Sequence, residues 1–255
     1  MRHRQPPARD TPPVAARYRV RYRKAGRMRF ASARDFQRAL ERAIRRGGVP
    51  VAFSAGFSPH PKISYTNTVA TGVASDAEYL ELGLIRAVEQ DRLLATLQAG
   101  LPDGFDVTDV VPAGAPGFAD RLEASRWEFA LPDVPVAAAQ QAAQRFLQMP
   151  SAPVERLTKR GTAQVDVRAA VSRLDVVAGG ESAAGEGPCA ILQVVVRHVT
   201  PSVRPVDVLA ALHGAAGLPQ SQATRICRRA QGPLNAEDLS IGDPLEPDRR
   251  ATSRA

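Results

Sequence analysis

The chain has 255 residues and a mass of 27.3 kDa, 44% apolar and 24% charged, enough to bury one large core or two of roughly 100 residues each. That composition excludes wholesale disorder, and no run reaches the ~18 consecutive apolar residues of a membrane helix. The net charge is +8, but residues 1–62 hold 16 Lys and Arg against 3 Asp and Glu, leaving 18 basic and 23 acidic groups for the rest; such a polarised field draws a polyanion to the first quarter.

Residues 1–16 are rich in Pro, Arg and Ala and lack periodicity, which predicts a disordered basic lead-in. Its opening, MRHRQPPARDTPP, lacks the apolar stretch of a secretory signal. From Tyr18 the pattern alternates: Tyr18, Val20 and Tyr22 share one face of a strand, and Arg17, Arg19, Arg21 and Arg23 share the other. Ser32 and Asp35 have the spacing of a short capping box, predicting a helix that Gly47-Gly48 ends. Phe36, Ala39, Leu40, Ala43 and Ile44 form its buried stripe, while Arg34, Arg38, Arg42 and Arg45 run along another face with Arg46 beside them. VPVAFS reads as a short strand, and SAGFSPHPK as a loop fixed by Pro59 and Pro61. Residues 63–70 and 78–85 read as strands joined through a turn at Gly72, followed by a helix over EQDRLLATLQAGLP and a strand over FDVTDVVPA. Strand, helix, strand, strand, helix, strand is the order of a split βαβ, ferredoxin-like domain.

After AGAPGFAD the order recurs. SRWEFALP predicts a strand, PVAAAQQAAQRFLQM a helix, and VERLTKR with TAQVDV a hairpin about Gly161. AVSRLDVVAG fits either a strand or a short helix, and residues 179–188 have the composition of a flexible loop. A strand over CAILQVVVRHV, a helix over RPVDVLAALHGAAG and a strand over ATRICRRAQG complete it. The expected fold class is α+β. Two ferredoxin-like halves, 17–113 and 121–234, lie between the disordered lead-in 1–16 and a fraying tail 235–255.

Only Cys189 and Cys227 are present, too few for a disulfide framework, a four-thiolate zinc site or a thiolate-held iron–sulfur cluster, and a reducing cytoplasm is the expected compartment. No His, Cys and Asp group has metal-ligand spacing, no phosphate loop, dinucleotide fingerprint or nucleophile elbow is present, and no cofactor is expected. His198 and His213 stand apart from other ligand-type residues and read as structural.

Two segments carry the candidate chemistry. In the 54–62 loop, Gly56 permits close backbone approach, Lys62 supplies a point charge suited to phosphate, and Ser54 and His60 add hydrogen-bonding groups. His60 could also be a general acid or base. Phe57 could stack on a base, although core burial is the favoured expectation for it. On the helix, Arg38, Arg42, Arg45 and Arg46 repel one another with only Asp35 and Glu41 nearby, a repulsion that a polyanion would relieve. Arg45 and Arg46 equally suit the helix C-terminus without any ligand. Asp35 is a weak candidate for a base or nucleophile and a strong one for capping. Glu78 could pair with one of the arginines across the sheet.

The run RMRFASARDFQRALERAIRRGGVPVAFSAGFSPHPKISY, followed by TGVASDAEYLELGL, resembles the bacterial radical-SAM-associated proteins of unknown function. The shared motif falls on Arg29, Phe30, Ser32, Asp35, Arg38, Arg42, Arg45, Arg46, Ser54, Gly56, Phe57, Pro59, Pro61 and Lys62, with a weaker match at Gly72, Ser75, Glu78 and Tyr79. VTPSVRPVDVLAAL and TRICRRAQGPL resemble the actinobacterial branch, and Ala33 stands where that family often has His. The resemblance implies a radical SAM protein as partner, and this chain lacks the cysteines to hold that partner's cluster.

Three functions fit these features. In the first, Arg21, Arg29, Arg38, Arg42, His60 and Lys62 line one surface that binds RNA, with tRNA or rRNA as candidates, for a radical SAM enzyme to modify. In the second, the chain is a metal-independent RNA-processing enzyme, an endonuclease using His60 or a pseudouridine-synthase-like protein using Asp35. In the third, it is a protein–protein adaptor whose basic face meets an acidic partner.

Overall fold

The computed structural model describes residues 12–158, 161–179 and 190–253. Residues 1–11 of the lead-in, Cys189 and all of the expected 179–188 loop except Gly179 lie outside them. The chain is mixed α+β and divides into two compact units, Met1–Ala119 with Leu245–Ala255, and Asp120–Pro244.

The first unit contains β1 (Ala16–Lys24), α1 (Ala33–Arg46), β2 (Ile63–Thr66), β3 (Ala74–Leu84), α2 (Gln90–Gly100) and β4 (Phe105–Pro112). Its strands lie in the order β4-β1-β3-β2, every neighbour antiparallel. Tyr18 is opposite Leu82, Val20 opposite Leu80 and Tyr22 opposite Glu78. The even-numbered side chains of β1 therefore enter the core with Phe36, Leu40 and Ile44 of α1 and Leu93 and Leu97 of α2. Phe36 stacks on Tyr22 at 4.1 Å between ring centres and meets Phe105 edge-on at 4.9 Å. Burying a ring of this kind stabilises the fold by about 1.5–3 kcal/mol. The helix begins where the spacing predicts. Asp35 N–H donates to Ser32 Oγ at 3.2 Å, and Ser32 N–H donates back to Asp35 Oδ2 at 2.9 Å.

The second unit contains β5 (Ala124–Leu131), α3 (Val136–Gln148), the hairpin β6 (Pro153–Thr158) and β7 (Gly161–Asp166), α4 (Val167–Ala170), β8 (Val171–Ala178), β9 (Ala190–Arg197), α5 (Pro205–Gly214) and β10 (Arg225–Gly232). Its main strands lie in the order β10-β5-β9-β8, again antiparallel. Setting the hairpin aside, each unit orders its strands fourth, first, third, second. The ambiguous AVSRLDVVAG segment resolves into the last residue of the single-turn α4 and the strand β8.

Several expectations fail. VPVAFS forms only the isolated bridges Val51–Leu84 and Phe53–Pro61. Strand β3 starts at Ala74, because Gly72, at φ +90°, completes the turn and donates to the Arg29 carbonyl at 2.7 Å. The lead-in is already bonded at Ala15, whose N–H donates to Leu84 O at 2.8 Å. The tail from 235 onward does not fray as its composition suggests. It forms a bridge between Leu234 and Ile241 and ends in α6 (Glu246–Thr252), which belongs to the first unit. Among the described residues, no helix is long and apolar enough to cross a membrane, and no three His, Cys, Asp or Glu side chains are grouped to hold a metal ion.

Candidate functional site

Helix α1 buries Phe36, Ala39, Leu40, Ala43 and Ile44, so its remaining positions face solvent. Arg34, Arg38, Arg42, Arg45 and Arg46 are all exposed, and none of their side chains makes a hydrogen bond or ion pair among the described residues. At 1.5 Å per residue they span about 18 Å of helix. Asp35 attracts Arg34 and Arg38 through space, but its carboxylate is committed to the N-cap. The hydrogen bonds from Ser32 hold its pKa below the usual carboxylate value, so it is an ionised cap and a poor proton acceptor.

The arginine row on β1 is different. It occupies the sheet face away from α1, and carboxylates answer most of it. Arg17 pairs with Glu81 at 3.0 Å and Arg23 with Asp76 at 2.9 Å. Buried Arg19 pairs with buried Asp248 of α6, donates to Ala115 O at 2.8 Å and lies 4.8 Å from the Phe118 ring centre. Arg21 donates to the Asp76 backbone carbonyl at 3.1 Å. A Cβ placed on Gly83, opposite Arg17, would lie 3.4 Å from Lys62 Cβ, so Lys62 leaves the sheet on this same face. The expected single surface thus separates. Arg21 and Lys62 are on one side of the sheet, and Arg38, Arg42, Arg45 and Arg46 are on the other. Arg29 sits before the start of α1, its guanidinium over the Phe30 ring at 4.6 Å.

The 51–63 segment is a stapled hairpin at the β2 edge. Lys62 N–H donates to Ala52 O at 2.7 Å, Ser54 N–H to His60 O at 2.9 Å, and His60 N–H to Ser54 Oγ at 3.0 Å. Ser54 and Gly56 are half-buried, and His60 is exposed. The His60 ring has no side-chain partner among the described residues, so nothing there orients it as a general base. Phe57 is 55% exposed, which reverses the expectation that it enters the core, and Phe53 is 42% exposed. Both ends of the loop are tied to each other, and the Phe57 ring stays outside the core.

Other features escape a reading of the sequence. Lys24 and Glu78 lie in a cleft at the start of α1, lined also by Tyr22, Ser32, Phe36 and Tyr65, with a cavity of about 10 Å³, room for roughly one water. Lys24 donates to Ala70 O at 3.2 Å, and Glu78 accepts from Val69 N–H at 3.1 Å, so the pair pins the 67–73 turn. Burial lowers the Lys24 pKa against the attraction of Glu78, and burial raises that of Tyr65. A second cleft of about 160 Å³ separates the ends of α1 and α2, with Arg86 and Arg92 among its lining. Gly47 is required there, since a Cβ would fall 2.2 Å from Thr96 Cγ2. In the second unit, Ser125 Oγ lies 2.8 Å from His198 Nε2, and His198 Nδ1 lies 2.5 Å from Leu122 O. Ser125 is fully buried in β5, so its hydroxyl is closed to a substrate.

A family described as "Uncharacterized protein conserved in bacteria (DUF2344)" matches residues 17–205, from β1 to the first residue of α5. The chain belongs to that family. The match contains α1, the hairpin and the Lys24–Glu78 cleft, and leaves out β10 and α6. No curated protein matches. Among solved structures, DypB from Rhodococcus jostii RHA1 is similar at 12% identity over 91% of this chain and 97% of that one, with a TM-score of 0.22. An arginine-to-leucine variant of Rhodococcus jostii DypB in complex with heme gives 11%, 85%, 93% and 0.23, and an oxyferrous complex of DtpA from Streptomyces lividans gives 14%, 94%, 94% and 0.23. TM-scores this low establish no common fold.

Proposed function

We propose that this DUF2344 protein is an RNA-binding accessory module, built of two ferredoxin-like halves, that works with a radical SAM enzyme. The observation that carries the binding is the contrast between two sets of arginines in one unit. Those on β1 are answered by carboxylates or a carbonyl, whereas none of the five on α1 makes a hydrogen bond or ion pair among the described residues. A row of unpartnered guanidiniums is what a phosphate backbone neutralises, with release of its counterions. The repeated fourth-first-third-second strand order supports the ferredoxin-like reading. The partner enzyme rests on the resemblance of the 29–62 motif alone, and tRNA and rRNA are the candidate substrates. The binding face is α1 with the adjoining tip of the hairpin; Arg21 and Lys62 fall outside it.

The test is electrophoretic or anisotropy titration of tRNA against the full chain at low salt. Wild type is expected to bind, and Arg38→Glu with Arg42→Glu to abolish binding while leaving the unfolding midpoint nearly unchanged, since neither side chain makes a hydrogen bond or ion pair among the described residues. No wild-type binding at 50 mM salt would sink the proposal.

A further inference from the structure

We infer that the 51–63 hairpin is a base-stacking platform, so that the RNA recognised on α1 carries unpaired nucleotides beside its phosphate contacts. The inference rests on the RNA-binding reading and specifies its substrate class.

The hairpin holds two large apolar rings in solvent on a backbone with little freedom. Pro59 and Pro61 fix two φ angles, and the reciprocal Ser54–His60 hydrogen bonds close the loop around Phe57. The bridge between Phe53 and Pro61 holds the other ring at the hairpin's base. Neither ring meets another aromatic ring or a cation among the described residues. Exposed rings on so ordered a loop forgo burial although the same unit has an aromatic core around Phe36. A loop backbone already held by two prolines and the Ser54–His60 hydrogen bonds loses little entropy when its rings meet a flat partner.

The surroundings select that partner. Val51 enters the core beneath α1, and the alternation of side chains along 51–53 puts Phe53 on the same side of the sheet as that helix. The chain reaches the hairpin directly from Arg45 and Arg46, with only Gly47–Pro50 between them and Val51. Cations and aromatic rings that lack such partners among the described residues, and that follow one another closely along the chain, match a nucleotide, which offers a phosphate and a π-face together. An apolar protein partner would match the rings and leave the guanidiniums without counter-charge. A base inside a duplex already stacks on both faces, so the platform can take only an unpaired one.

The experiment compares two RNA probes with equal numbers of phosphates, a fully paired duplex and a stem carrying a single-stranded adenosine tail. Wild type is expected to prefer the tailed probe, and Phe53→Ala with Phe57→Ala to remove the preference. Stacking is worth about 1–3 kcal/mol per base, so the tailed probe should weaken roughly 5- to 150-fold per stacked base, with the salt dependence unchanged. Equal wild-type affinity for the two probes, or a preference that survives in the double variant, overturns the stacking platform and leaves RNA binding standing. Failure of wild type to bind either probe removes the RNA reading itself, and this inference with it.

Discussion

Lys24 is 5% exposed and Glu78 1%, and they hold the adjacent residues Ala70 and Val69 of the 67–73 turn in place. Removing one member takes away the attraction that offsets the other's burial in a cleft with space for about one water. Lys24→Met, which loses the hydrogen bond to Ala70 O and the attraction of Glu78, is expected to cost about 1–3 kcal/mol in urea denaturation, and Lys24→Met with Glu78→Gln distinctly less than the two single changes added together. The inward position of Lys24 was not legible, because the run Lys24–Arg27 around Gly26 reads as a bend, whereas β1 carries the Tyr18, Val20, Tyr22 alternation one step further. Glu78 was not legible as its partner, since its place opposite Tyr22 depends on a register between strands more than fifty residues apart. His198 offers a pH test at the same scale. A carbonyl can only accept, so Nδ1 carries the proton toward Leu122 O, and Nε2 accepts from Ser125. Burial, with Arg228 nearby, holds the pKa below 6.5 even though part of the residue is open to solvent. Between the lowered folded value and 6.5 the unfolded chain binds more protons, so stability is complete above about 6.5 and falls with pH through that window. Thermal unfolding from pH 7.5 to 5 should show the fall in wild type and a shallower one in His198→Gln.

Helix α6 has seven residues and no apolar stripe, and nothing in its periodicity announces a helix. It is held by contacts that span the sequence. Asp248 pairs with Arg19 and accepts from Ala115 N–H at 2.8 Å, Arg249 pairs with Asp109, and Leu245 is fully buried just ahead of it. A pattern reader sees an acidic-then-basic, proline-containing tail; the structure uses that charge to neutralise a β1 arginine that its own strand neighbours leave short. Helix α1 was legible for the opposite reason, because its cap, its stripe and its stop are all local. Asp248→Ala should lower the stability of the full chain by about 3–5 kcal/mol, because among the described residues it leaves the buried Arg19 guanidinium with Glu81 at 3.5 Å as its one carboxylate, beside the Ala115 carbonyl. Arg19→Met with Asp248→Leu should recover much of that loss. Chemical denaturation of the three proteins at one pH decides it, and equal stability of Asp248→Ala and wild type would show α6 to be dispensable.

Across the whole chain, the uneven charge was legible from a count, but its division was not. Period-two alternation puts the β1 arginines on one face and helical spacing puts the α1 arginines on one stripe; neither says on which side of the sheet the helix packs. Packing places α1 over Tyr18, Val20 and Tyr22, and so turns the β1 row to the opposite side, where carboxylates were waiting. Two arginine sets with similar formal charge should then behave differently toward a polyanion. For single-stranded RNA each phosphate neutralised contributes about 0.7 to the slope of log affinity against log salt, and for duplex about 0.9. Changing Arg38, Arg42, Arg45 and Arg46 to Gln should flatten that slope by about 3. Changing Arg17 and Arg23 to Gln should leave the slope nearly intact, because their charge is already spent on Glu81 and Asp76. Binding isotherms at four salt concentrations separate the two cases. A slope that falls equally for both sets would mean that the field of the whole first unit, and not the face of one helix, meets the RNA.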